Sequence, residues 1–397
     1  MQYDVIIIGS GPSGSSTALH LAQRAPELAR RTLVLERDRH PRHKLCGGGC
    51  VNDVDNTLRS LDLDPDEIHR VNVSWVNLHF RSRGFRMQLD ENLAFNVVRR
   101  SEFDAWLAGK VREQGIELME ETRVLKVIRT DEGVEVQTDR GNFRGRVVIG
   151  ADGATSIVRK LVDPNAPTRL ARLVELYTPA EPPRGESDHA ADEAYIEFSC
   201  VPTGIQGYVW SFPTHGENGP MRNWGVYDSR TVPGKTGGSL KPVVADWLQS
   251  QAHSLEDYLL QGHPIRMYHP RGAFAAPHAL LVGDAAGTDP MFGEGIGPAL
   301  GYGNIAARAL QDAFDRNDFS FSSYAEMVRR SELGKSLTRR ASAAELAYRL
   351  RSPLAQKFIW QRLGPVIRWY LQERVFNWTD REQQQRGTAP QSAASRN

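Results

Sequence analysis

Three short apolar runs that end in glycine or an acid, separated by stretches of alternating apolar residues, predict an α/β fold. Its class is a Rossmann-type nucleotide-binding domain interleaved with an antiparallel-sheet substrate domain and followed by C-terminal helices. The three runs occupy residues 4–9, 147–153 and 279–284, and the alternating stretches occupy 71–98 and 170–228. A continuous β-branched run suits a parallel strand buried on both faces, whereas alternation suits a sheet with one wet face.

The first run, Asp4-Val5-Ile6-Ile7-Ile8, leads into Gly9, Gly11 and Gly14 with the spacing G-x-G-x-x-G. Gly9 lets the turn form, Gly11 lets a pyrophosphate approach the backbone, and Gly14 lets helix and strand pack closely. The helix is expected over 13–25, opening at Ser13, with Ala18, Leu19, Leu21 and Ala22 turned to the sheet. A second strand, Thr32-Leu33-Val34-Leu35, ends in Glu36, an acid suited to a ribose hydroxyl, with Arg37 beside it. Glycines after a strand alone mark only a turn. With the second strand and its terminal acid they specify nucleotide binding.

The 397 residues can hold two joined domains, and a net charge of +1 from well-mixed signs leaves no nucleic-acid footprint. The nucleotide-binding strand starts at residue 3 or 4, so no signal peptide is expected. No apolar run approaches the ~20 residues of a membrane span. Cys46, Cys50 and Cys200 do not make a secreted disulfide framework. A cytoplasmic protein is expected.

After Glu36 a basic run reaches Lys44-Leu45-Cys46-Gly47-Gly48-Gly49-Cys50. Three consecutive glycines are costly to order, which points to a backbone lying against something flat or anionic. A cofactor ring fits that role, with Cys46 or Cys50 near the reacting atoms. A flexible surface loop with incidental thiols shares the composition. No metal is expected, because a structural zinc site needs four ligands and no second cysteine pair exists. A redox-active pair depends on exposure and pKa, which the sequence does not give.

Residues 71–98 make the first visit to the second domain, and Arg100 then opens a helix with Ser101 as its N-cap. Residues 117–136, including Val124, read as short strands. The run at 147–150 ends in Ala151-Asp152-Gly153, where α/β sheets bind ligands. In Gly207-Tyr208-Val209-Trp210-Ser211-Phe212-Pro213 the residues two apart share a face, so Tyr208, Trp210 and Phe212 form an aromatic wall and Pro213 ends the strand. Taken alone, such a wall is more often ordinary core. A helix is expected over 240–260. The third run ends in Gly283-Asp284 and is followed by Gly293-Glu294-Gly295-Ile296 and a helix. Gly9, Asp152 and Asp284 are therefore expected at the ends of neighbouring strands in one sheet. Residues 352–378 are basic and rich in aromatics, suited to packing over the substrate domain or, as the alternative, to peripheral membrane contact. The resulting division is 1–70, 97–165 and 270–315 for the nucleotide-binding domain and 71–96 with 166–269 for the substrate domain. Residues 316–380 form the helical region and 381–397 a disordered tail.

Taken together, the three strand-end motifs resemble FAD-dependent oxidoreductases of the glutathione-reductase-like, para-hydroxybenzoate-hydroxylase type, over about the first 310 residues. The resemblance implies FAD, with its ADP half on Gly9, Gly11, Gly14 and Glu36. It also implies further contacts from Arg100, the Asp152-Gly153 pair and the Gly283-Asp284 pair. Three details resemble the geranylgeranyl reductase family: Lys44-x-Cys46-Gly47-Gly48, Tyr208-x-Trp210-x-Phe212-Pro213, and Pro290-x-x-Gly293-Glu294-Gly295-Ile296.

That likeness implies cofactor contacts at Ser13, Arg37, Lys44, Val124, Gly293, Gly295 and Ile296. It implies a catalytic loop of Cys46, Gly47 and Gly48, and an isoprenoid pocket lined by Tyr208, Trp210, Phe212 and Pro213. The implied reaction is reduction of isoprenoid double bonds, with Cys46 or an ordered water as proton donor and an external donor such as NAD(P)H or ferredoxin. Cys50 and the polar Thr288-Asp289 depart from the family pattern. Two rivals share the scaffold: a flavin monooxygenase or halogenase, and a non-catalytic flavin carrier or lipid binder. Against a halogenase, residues 71–98 contain no lysine.

Overall fold

The computed structural model describes residues 2–89, 93–165, 170–180, 190–234 and 237–388. The opening run forms the strand Tyr3–Ile8, with Val5, Ile6 and Ile7 fully buried, as a two-sided parallel strand requires. It lies between Gly141–Gly150 and Thr32–Leu35, parallel to both. Ile8 pairs with Gly150, and Gly150 pairs in turn with Leu281 of the strand Ala279–Leu281. The three strand ends therefore stand level, which brings Gly9, Asp152 and Asp284 to one edge of the sheet. Glu117–Met119 extends the sheet beyond Thr32–Leu35, and Val124–Arg129 and Val134–Thr138 join it as an antiparallel extension.

The helix Pro12–Arg24 packs against the long helix Ile296–Arg316. A Cβ at Gly303 would stand 2.4 Å from Ser16 Oγ, and that hydroxyl donates to Leu300 O at 2.7 Å. Small residues on both helices allow this approach.

The second sheet runs in the order Gln261–Ile265, Ala171–Pro179, Gly219–Asp228, Gly207–Gly216, Glu193–Glu197, Trp75–Phe80, Arg83–Met87. The alternating stretch at 71–98 divides between this sheet and a small one made of Gly49–Cys50, Phe95–Val98 and Arg70–Val73. The C-terminal helices Pro353–Arg362 and Gly364–Tyr370 pack on its far edge. Trp360 stacks on Phe198 at 3.7 Å and 9°, and Gln361 and Arg368 donate to the carbonyls of Phe80 and Arg86 at 2.8 Å. These contacts cover the edge strand, whose backbone groups would otherwise be free. Among the described residues no helix is long and apolar enough to cross a membrane.

Four expectations need correction. Ser101 is not a cap: the helix runs Arg100–Glu113 with Arg99 at its N-cap, because Arg100 enters the first turn to pair with Asp104. Pro213 does not end its strand, which continues to Gly216; pairing with Glu193–Glu197 stops at Ser211, so proline occupies a position open on that side. The helix Leu240–Ser250 stops ten residues short of 260 and gives way to a turn at Leu255–Asp257. The chain is also helical from Trp378 to Thr388, held by Arg381 donating to Phe376 O at 2.8 Å and Gln385 donating to Glu332 at 2.8 Å. The expected disordered tail beyond 388 lies outside the described residues.

Candidate active site

At the level strand ends lies a cleft of about 430 Å³ lined by Gly9, Gly11, Ser13, Glu36, Arg37, Lys44, Arg100, Val124, Asp152, Gly153, Asp284, Gly293, Gly295 and Ile296. These are most of the cofactor residues expected from sequence. The first helix has no side-chain cap, so its opening amides face the cleft unsatisfied, as an anion site requires. A Cβ at Gly11 would meet only Arg42 Nη2, at 3.5 Å, so that position is open towards a ligand.

Gly14 and Gly283 do not line the cleft. A Cβ at Gly14 would stand 1.9 Å from Gly9 O, and one at Gly283 would stand 2.5 Å from Ser13 Oγ, so both serve close packing beneath the cleft. Glu36 is buried and accepts from Ser10 N and Oγ at 2.9 and 2.8 Å, which fixes its carboxylate at the cleft wall. Arg100 is pinned by Asp104 at 2.7 and 2.9 Å. Burial lowers the pKa of Lys44, against the attraction of Asp284. Asp152 Oδ2 accepts from Ile157 N at 2.6 Å, while its buried Oδ1 has no partner and burial raises its pKa.

Next to this cleft is an apolar cavity of about 160 Å³. Tyr208, Trp210 and Phe212 line it from one strand, with ring centroids 6.2 and 6.4 Å apart in sequence. Met87, Leu371 and Phe376 close it from the second sheet and the C-terminal region. Pro213 is buried but lines neither cavity. The Trp210 indole N–H donates to Asn223 Oδ1 at 2.5 Å, and the Tyr208 hydroxyl donates to the carbonyl of Phe292. Gly47 and Gly48 line this cavity, not the cleft. A Cβ at Gly47 would stand 3.2 Å from the Phe212 ring, so the flat partner of the glycine loop on that side is the aromatic wall itself.

The two cavities share Cys46, His263, Ile265, Gly293, Gly295 and Ile296. Cys46 is thus the thiol at the junction, while Cys50 is buried with Sγ turned to Gly48 O at 3.6 Å and its pKa raised by burial. All three cysteines are free. The Arg100 guanidinium reaches the Cys46 side chain, a cation at the sulfur. The turn that carries Gly293 and Gly295 is anchored from behind: Arg340, fully buried, donates to Asp289 Oδ2 at 3.0 Å and to Glu294, and Tyr348 donates to Met291 O at 2.8 Å.

Sequence reasoning missed His263, Asn223 and Glu175. Burial, with Lys44 and Arg100 nearby, pushes His263 down to about 3, so a neutral imidazole sits between the cavities. Glu175 accepts from Cys46 N at 2.8 Å. A lone histidine and an acid in alternating strands carry no motif; their position follows from sheet pairing alone.

The cleft fits FAD. A helix N-terminus open at Gly11, a fixed acid at the second strand end, cations that include Lys44 and Arg100, and an orphaned Asp152 oxygen match a long, diphosphate-bearing nucleotide. Residues 2–198 match the family described as FAD binding domain. The digeranylgeranylglycerophospholipid reductase of Methanosarcina acetivorans is 27% identical over 348 residues, 82% of this chain and 79% of that protein. The menaquinone reductase of Mycolicibacterium smegmatis is 26% identical over 332 residues, 77% of this chain and 76% of that one. Among solved structures, a geranylgeranyl bacteriochlorophyll reductase-like protein from Thermoplasma acidophilum superposes with TM-score 0.70 at 20% identity, covering 96% of this chain and 98% of that one. A variant of halogenase PltM in complex with FAD gives TM-score 0.67 at 15% identity, covering 96% and 84%. The fold is thus shared with halogenases. Cleft, motifs and relatives agree: this chain is an FAD-dependent oxidoreductase whose residues 2–198 match the FAD binding domain, and it is similar to the geranylgeranyl reductase-like proteins.

Proposed function

We propose that this protein reduces carbon–carbon double bonds in the isoprenoid chain of a prenyl lipid. The observation that carries this reading is the apolar, aromatic-walled cavity meeting the cofactor cleft at Cys46 and the Gly293–Ile296 turn. When bound and reduced, FAD supplies a hydride. The remaining work falls to the chain's own residues. Tyr208, Trp210 and Phe212 exclude water and align a flexible apolar chain. Gly47 and Gly48, without side chains, let the loop lie close against the Phe212 ring and the Val98 backbone, which sets Cys46 at the meeting of the two cavities. Cys46 delivers the proton from Sγ to the second alkene carbon, with the Arg100 guanidinium beside it. The named activities of the reductase relatives support the same substrate class.

The reductant comes from an external carrier, a nicotinamide or a ferredoxin. Exposed Leu350, Leu354, Phe358, Val366 and Trp369 stand among exposed Lys357, Arg362, Arg368 and Arg374 on the C-terminal helices. Apolar groups fringed by cations suit a membrane surface bearing anionic lipid, from which the substrate would be drawn. Binding to anionic but not neutral vesicles, weakened by Phe358→Glu, is expected. Equal retention by neutral vesicles, or none by either, removes the membrane contact.

The function itself is tested by mass spectrometry of geranylgeranyl diphosphate and a prenylated naphthoquinone after anaerobic incubation with dithionite-reduced protein. A gain of two hydrogens per reduced bond, abolished by Trp210→Ala, is expected. Unchanged mass for both lipids contradicts the reading.

A further inference from the structure

The glycine-rich loop must be held still for Cys46 to face both cavities, and ordering its three glycines is costly. The structure shows what holds it. Glu175 and Tyr177 are two apart on the strand Ala171–Pro179, so their side chains leave the same face of the sheet. Glu175 Oε1 accepts from Cys46 N at 2.8 Å, and the Tyr177 hydroxyl reaches Cys46 O at 3.5 Å. One strand therefore grips both sides of the Cys46 peptide. Glu175 is 0% exposed, and its second oxygen, Oε2, is buried without a hydrogen-bond partner.

We propose that Glu175 is a positioning residue that holds Cys46 at the junction of the two cavities and does so in its protonated form. An ionised carboxylate with one oxygen unpaired in a closed interior is strongly disfavoured. Burial pushes Glu175 up to about 7, and the groups around it fall short of offsetting this. On the loop these are the backbone amide of Cys46 and the Lys44 ammonium; on its own strand, the Tyr177 hydroxyl; on the strand Gly219–Asp228, the Asn223 amide. On the strand Gln261–Ile265, Gln261 pairs with Glu175 and His263 with Leu173, and His263 is neutral. When Glu175 ionises, Lys44 is the cation placed to meet it. Opening the loop to water relieves that buried charge, so ionisation works against the closed loop.

The consequence for turnover rests on the reductase reading, but the positioning is measured without it. Hydrogen–deuterium exchange of the Cys46 amide is followed in the full chain between pH 6 and pH 8, after correction for intrinsic exchange. Glu175→Ala should speed exchange by about tenfold at both pH values, the loss of one ordinary hydrogen bond. Glu175→Gln, which keeps the acceptor oxygen but cannot ionise, should match the wild-type protein at pH 6. At pH 8 the wild-type loop should lose protection while Glu175→Gln keeps it. In the loaded enzyme, product formation should fall through about pH 7 in the wild-type protein and stay level in the glutamine variant.

Wild-type and Glu175→Gln loops that track each other at both pH values overturn the proposal, as does a Glu175→Ala loop that keeps full protection. The comparison of wild type with glutamine decides it even where the alanine variant fails to fold. Loss of the reductase reading appears separately, as unchanged lipid mass.

Discussion

Gly225 is the bed on which the Trp210 indole lies: a Cβ at Gly225 would stand 2.2 Å from Cζ2 of that ring. The two residues pair directly across adjacent strands. Glycine at 225 is therefore what lets the largest member of the aromatic wall lie flat. Gly225→Ala should lift the indole and break its 2.5 Å hydrogen bond to Asn223. Overpacking of this kind costs about 1–3 kcal/mol, and a misplacement of ~1 Å at a site costs on the order of a hundredfold in rate. Reduced turnover with altered tryptophan fluorescence and unchanged flavin content is expected. Unchanged turnover would remove Trp210 from the substrate wall.

Gly11 separates cofactor binding from folding. Its Cβ would meet only the end of the Arg42 side chain, at 3.5 Å, so Gly11→Val fits the apoprotein but projects into the cleft. The apoprotein should keep its stability within about 0.5 kcal/mol while flavin content falls steeply. Absorbance of bound flavin and thermal unfolding of the apoprotein check the two halves. Full flavin content in this variant would place the pyrophosphate elsewhere.

The Arg340 guanidinium is 1% exposed and holds Asp289, which precedes the turn beside the cleft, and Glu294, which lies within it. Removing one partner of a buried ionic cluster leaves uncompensated charge and costs about 3–5 kcal/mol. Arg340→Ala should lower stability by that amount in urea unfolding. Arg340→Lys, which keeps charge but not the forked geometry, should recover only part.

Asp53 ties the C-terminal helix to the first sheet's flank by accepting from Thr379 N and Oγ1 at 2.9 and 2.8 Å. Burial pushes this acid from 3.8 up to about 7 despite the Thr379 hydrogen bonds. A carboxyl whose folded pKa is raised contributes stability that is complete below its unfolded value and is lost as pH rises through the folded value. Relative to Asp53→Asn, the wild-type protein should therefore lose stability between about pH 4 and about pH 7. Denaturant unfolding across that window checks it, and parallel pH profiles of the two proteins would contradict it.

The cofactor side of the site was legible in the sequence because its chemistry is backbone chemistry. A tight turn, a close approach and a helix start demand glycine at fixed offsets, so Gly9, Gly11 and Gly14 announce themselves. The level ends at Asp152 and Asp284 followed from buried runs that terminate alike. The wall of Tyr208, Trp210 and Phe212 followed from the two-residue period of a strand. Glu175, His263 and Asn223 were not legible. Each sits in an alternating strand where a polar residue reads as solvent-facing, and only the pairing of strands distant in sequence turns that face inward. The division of residues 71–98 between two sheets was hidden for the same reason, since alternation specifies a strand but not its neighbour.

The central claim is that electrons on the cofactor leave for an alkene held against the aromatic wall. The most direct measurement is anaerobic single turnover, in which the flavin absorbance of the reduced protein is followed after addition of a prenyl lipid and the lipid is then weighed by mass spectrometry. One flavin reoxidised for each two hydrogens gained is the predicted result. A flavin that stays reduced with the lipid, yet reoxidises when oxygen and an aromatic compound are added together, would contradict it and favour a monooxygenase or halogenase.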